Sequence, residues 1–130
     1  MHASYFDPIR EIVVESTSNS VDDVTKLLGV VLSLNSQRGH PTLELTRRDG
    51  STLSLSTDGK RAYLVWVNSL GESFHSTGSS DGEPLVFDYF GSWSEAPASF
   101  LVRLDDAMRC AETFVSTGTA DTDQVLFEPD

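Results

Sequence analysis

Residues 42–68, TLELTRRDGSTLSLSTDGKRAYLVWVN, decide the fold. Leu43 and Leu45, then Leu53 and Leu55, stand at every second position. In an extended chain that spacing turns all four leucines to one face, so each segment reads as a strand with one buried side. Between them Asp49-Gly50 is a strong hairpin signal, because glycine accepts the positive φ that a tight turn demands. Asp58-Gly59 repeats the turn chemistry, and residues 62–68 (AYLVWVN) are apolar almost throughout, as a central strand would be. Three consecutive strands joined by short turns make an antiparallel meander.

The remaining elements are placed by working outward from this meander. Toward the N-terminus, Val21, Val24, Leu28 and Val31, joined by Leu27 and Leu32, form one apolar stripe at helical spacing. Ser20-Val21-Asp22-Asp23 supplies a capping box at its start, and the helix should end near Leu34, before a polar loop over residues 35–41. Residues 9–15 (IREIVVE) read as the first strand. Toward the C-terminus, residues 69–72 turn the chain into a strand over 73–77, followed by a flexible polar loop over 78–82. Residues 85–90 form another strand, with Leu85, Phe87 and Tyr89 on one face and Val86, Asp88 and Phe90 on the other. Residues 91–99 read as an ordered surface loop. Leu104, Ala107, Ala111, Phe114 and Val115 give the second helix its apolar stripe, and Gly118 stops it. Residues 125–127 close the chain as a last strand. The order β-α-β-β-β-β-β-α-β describes an α+β protein: one domain over residues 1–130, a single antiparallel sheet with two helices packed on it.

Charge narrows the function. Nine basic against twenty acidic residues leave a net charge of −11. Direct binding to nucleic acid requires the opposite balance, and an anionic membrane surface is disfavoured for the same reason. Residues 1–61 hold eight acids and seven bases, whereas residues 62–130 hold twelve acids and two bases. Solubility does not require this segregation, and an extended negative field steers a cationic protein surface toward the second half. No apolar run approaches the roughly 18 residues that span a bilayer. Met1 to Arg10 lacks the pattern of a secretory signal, and the one cysteine, Cys110, has no internal partner. A cytoplasmic location is expected.

Chemistry-bearing motifs are weak. His75 lies near Ser73, Ser76 and several acids, but no strand-turn-helix nucleophile motif surrounds any serine, so a small hydrolase is disfavoured and no catalytic residue is assigned. Asp121 and Asp123 lack the rest of a calcium loop, and the three histidines have no zinc spacing, so neither metal nor cofactor is expected. Cys110 falls on the buried stripe of the second helix and reads as a packing residue. The segment Tyr89-Phe90-Gly91-Ser92-Trp93-Ser94-Glu95, by contrast, sets two amphipathic rings beside carboxylates, a composition suited to interface anchors.

Residues 62–128 also resemble a known family. They comprise a hydrophobic strand at 63–67, Gly71-Glu72-Ser73-Phe74, a Gly/Ser loop through Gly78, and the aromatic segment around Tyr89. Phe100-Leu101-Val102, the helix with Ala107, Ala111 and Phe114, Thr117-Gly118 and Gln124-Val125-Leu126-Phe127-Glu128 follow in order. This succession is similar to the bacterial immunity proteins of polymorphic-toxin systems, the type commonly paired with nucleic-acid deaminase toxins. Phe127 stands where that family often has Trp, and residues before 62 match only in general layout. The resemblance implies a small α+β, non-enzymatic protein that binds a cognate toxin domain, as a 1:1 heterodimer, and blocks a basic active-site cleft by occlusion. Asp81, Glu83, Asp88 and Glu95 are the candidate electrostatic contacts, with Tyr89 and Trp93 as anchors and Glu72 and His75 as neighbouring toxin-binding residues. An immunity protein against a nuclease toxin, or an acidic chaperone or adaptor for a secreted effector, are the alternative readings; the adaptor would leave its partner's activity intact.

Overall fold

A computed structural model describes residues 1–18, 20–34, 39–78 and 82–130. Along the chain the strands are β1 (His2–Asp7), β2 (Ile12–Thr17), β3 (Leu43–Thr46), β4 (Thr52–Thr57), β5 (Arg61–Val67), β6 (Ser73–Thr77), β7 (Leu85–Tyr89), β8 (Ser92–Ala96), β9 (Val102–Arg103) and β10 (Leu126–Pro129). Helix α1 (Val21–Ser33) follows β2, and α2 (Leu104–Thr117) follows β9. Among the described residues, eight strands share one sheet in the order β10-β6-β5-β4-β3-β1-β2, with short β9 paired to β5. Every named strand pair is antiparallel. The α+β class is the expected one.

The meander of β3, β4 and β5 builds the core as its leucine spacing requires. Leu45 pairs with Leu53, Leu43 with Leu55, and Leu55 with Leu64, so all five leucines share a face. Each is 2% exposed or less. Both helices cover this face. Val24, Leu28 and Val31 of α1 and Ala107, Cys110, Ala111 and Phe114 of α2 join the leucines, Ala3 and Tyr5 in one buried cluster. The caps are those read from the sequence: the Ser20 hydroxyl accepts the Asp23 N–H, and Gly118, at φ 85°, closes α2 by donating to the Phe114 carbonyl. Arg47, at the end of β3, donates to the Phe114 and Val115 carbonyls at 2.9 Å each. A cation thus sits on the negative end of α2, where it stabilises both the helix and its seating on the sheet.

Two segments depart from expectation. The first strand does not run over 9–15: the Asp7 carboxylate gathers the Ile9 and Arg10 N–H groups and the Arg10 guanidinium, which makes residues 8–11 a turn. The strand therefore begins at Ile12, and His2–Asp7 forms a preceding strand that pairs with both β2 and β3. Nor are residues 91–99 a loop throughout. Ser92–Ala96 pairs with Leu85–Tyr89 as a separate two-stranded hairpin, followed by a single 3-10 turn at Ala98–Phe100. The expected loops over 35–41 and 78–82 fall partly outside the described residues.

Candidate functional site

The face of the sheet turned away from the helices follows from the same alternation. Glu44 pairs with Ser54, Ser54 with Val65, Val65 with His75, and His75 with Glu128. Ser56 and Tyr63 form the adjacent pair on this face. The β7–β8 hairpin folds over it. Leu85, Phe87 and Ala96 pack with Leu101 and Tyr63 into a second, smaller core, and the Tyr63 ring lies 5.9 Å from Phe87 and 6.0 Å from Phe100. This cover is incomplete. A cavity of about 220 Å³ remains, floored by Thr42, Ser54, Ser56 and Val65 and walled by Tyr63, Phe87, Tyr89 and Ser94.

A tight turn makes the tip of the hairpin. Tyr89 pairs with Ser92, leaving Phe90 and Gly91 as a two-residue connection with φ of 48° and 92°. That geometry suits glycine but not a bulky side chain, for which the left-handed region costs roughly 1–2 kcal/mol. The Asp88 carboxylate offsets the strain by accepting the Gly91 N–H at 2.7 Å. Backbone bonds from Thr42 N–H to the Asp88 carbonyl and from Asp88 N–H to the His40 carbonyl, both 3.0 Å, tie the hairpin to the approach of β3.

The predicted contact residues fall into distinct settings. Tyr89 and Trp93 are 46% and 56% exposed. They lie on opposite faces of the hairpin, Tyr89 turned to the cavity and Trp93, which pairs with Asp88, turned outward. Glu95 is exposed beside Trp93 on the outward face, and Glu83 is exposed where the chain enters β7, its carbonyl accepting from Arg61 at 2.6 Å. Glu72 is exposed in the turn before β6, held by the Asn68 amide at 3.0 Å. Asp88 has its side chain wholly buried, so it organises the hairpin and presents no carboxylate to a partner. His75 is also buried. Asp81 lies outside the described residues.

Around His75 no hydrolytic constellation forms among the described residues. Its Nδ1 lies 2.7 Å from Asp130 Oδ1 and its ring 4.1 Å from that of Phe100. Ser73 donates to Asp130, and Ser76 donates to the Phe100 carbonyl, so neither hydroxyl is placed on the imidazole. The Ser73 hydrogen bond holds the Asp130 carboxyl below its ordinary range, with help from His75 and against the effect of burial. Cys110 is buried with its sulfur 3.3 Å from the Thr122 hydroxyl, and burial pushes its thiol up, away from the reactive thiolate.

Glu44, Tyr63 and Val65 were not singled out from the sequence, although alternation already assigned the first to the polar face of its strand. What no local pattern disclosed was the hairpin above them. A larger cavity of about 390 Å³ opens beside Ser18, Arg47, Arg48 and Asp49. None of the described predicted contacts lines it, and its Arg47 is already bonded to the carbonyls of α2. No helix among the described residues is long and apolar enough to cross a membrane.

A family model described as Immunity protein Imm1 matches residues 14–126. No match is found among curated proteins.

Proposed function

Because the chain belongs to the Imm1 family of immunity proteins, we propose that it binds a cognate toxin domain in the bacterial cytoplasm and blocks the toxin's active site by occlusion. The match over residues 14–126 carries this reading. The target is a toxin that modifies nucleic acid, of the deaminase type that the resemblance implies. Such a toxin needs a basic groove to hold phosphates, and an acidic protein competes for that groove. The twelve acids and two bases of residues 62–130 supply the complementary field.

The β7–β8 hairpin is the proposed centre of docking. It carries two exposed aromatic rings, with Glu83 and Glu95 exposed nearby, and an aromatic anchor ringed by polar groups is the usual composition of an interface hot spot. Its strained turn is held by Asp88 and by the approach to β3, so the rings are presented on a fixed frame and lose little freedom on binding.

Inhibition of this kind needs affinity and shape, with no reaction of its own. The test is the purified toxin's activity as this protein is added. Activity should vanish near one equivalent. A stable complex in which the toxin keeps its full rate would refute occlusion and favour an escorting adaptor.

A further inference from the structure

The cavity beneath the hairpin has a chemistry of its own. Its floor consists of the Thr42, Ser54 and Ser56 hydroxyls beside Val65, and its walls are aromatic apart from Ser94. Thr42 and Ser56 bond to one another at 2.7 Å, so this floor is already organised before anything enters. Carboxylates lie toward both ends. Glu44 accepts from Ser54 at 3.4 Å and is close enough to Tyr89 that its charge adds to burial in raising the phenol's pKa. Asp130 acts in the same way on Tyr63, again after burial. None of the described residues lining the cavity is basic.

We propose that this cavity is a receptor for one arginine side chain of the partner, with Glu44 as its counter-ion. Val65 and Phe87 offer an apolar surface to the methylene stem, while Tyr89 and Tyr63 offer aromatic rings to a planar cation. The guanidinium has donors enough to satisfy Glu44 and the serine hydroxyls together, whereas an ammonium concentrates its charge at a point and holds its water more tightly. An anionic or purely apolar side chain leaves Glu44 without a counter-charge. This inference rests on the toxin-binding reading and names the group that the acidic face admits.

The experiment needs no toxin, so its failure leaves the immunity reading to its own assay. Isotope-labelled protein is titrated with N-acetyl-arginine amide, with the lysine analogue, and with the isosteric but neutral citrulline analogue. Arginine amide should shift the amide signals of Thr42, Ser54, Ser56, Val65 and Tyr89. Citrulline amide should leave them in place, and lysine amide should bind more weakly. Glu44→Gln should weaken the arginine titration about tenfold, the loss expected for one hydrogen bond to a charged group. Tyr89→Leu should weaken it as well, while signals of the helix-side core confirm that both variants remain folded. Equal shifts from citrulline and arginine, stronger binding of lysine, shifts confined to other surfaces, or an unchanged titration in Glu44→Gln would each overturn the proposal.

Discussion

Asp88 shows how a residue chosen for its charge can serve through its bonds instead. Its position in an aromatic, acidic strand predicts a docking acid, yet its buried carboxylate holds the Gly91 N–H of the hairpin turn. Asp88→Ala should therefore destabilise the protein by about 2 kcal/mol, the cost of a lost buried hydrogen bond, as measured by urea unfolding. Trp93 has the opposite character. At 56% exposed it contributes little to folding, so Trp93→Ala should leave the unfolding midpoint nearly unchanged. In the toxin complex the same truncation should cost about 2 kcal/mol or more if the ring is an anchor, read as a rise in Kd. Gly78 is fixed by space rather than by chemistry. A Cβ there would lie 1.9 Å from the Leu101 carbonyl oxygen, so Gly78→Ala should cost about 3 kcal/mol, toward the upper end for overpacking.

At the scale of elements, the β1–β2 edge depends on one carboxylate. Asp7 stays below its ordinary range, first through its hydrogen bond to the Arg10 side chain and then through the backbone N–H groups of the turn, against a smaller effect of burial. Because the folded carboxyl is the stronger acid, its contribution is complete above the ordinary value of 3.8 and is lost as pH falls below it. Amide protection in Ile12–Thr17 should accordingly be lost at acid pH before protection in β3–β5, and Asp7→Ala should show the same weakened edge at neutral pH. The leucine alternation and the Ser20 cap were legible because each is local: the spacing itself states which side is buried or which N–H is capped. The boundary at residues 8–11 was not. Ile9, Ile12 and Val13 favour a strand by composition, but Ile9 is 75% exposed and belongs to the Asp7 turn.

Over the whole molecule, the segregation of charge bears on how fast a partner arrives more than on how long it stays. Glu83→Lys and Glu95→Lys should each slow association with the toxin and flatten its dependence on salt, with smaller changes in dissociation, as followed by stopped-flow binding. The helices and the three-strand meander were determined by the sequence alone, because periodicity, caps and Asp-Gly turns act between residues a few positions apart. So was the excess of acid after residue 61. Which of those acids reach solvent was decided only by the tertiary structure. Folding the β7–β8 hairpin over the polar face turns Tyr89 to the cavity and Trp93 outward and encloses the hydroxyl floor beside Glu44, while Asp88, on the Trp93 side of the hairpin, is buried all the same. The pairing of Pro41 with Asp88 that anchors the hairpin joins positions far apart in the chain. A contact of that range leaves no periodic trace in either segment, so the acidic half could be read from the sequence, but the cavity beneath it could not.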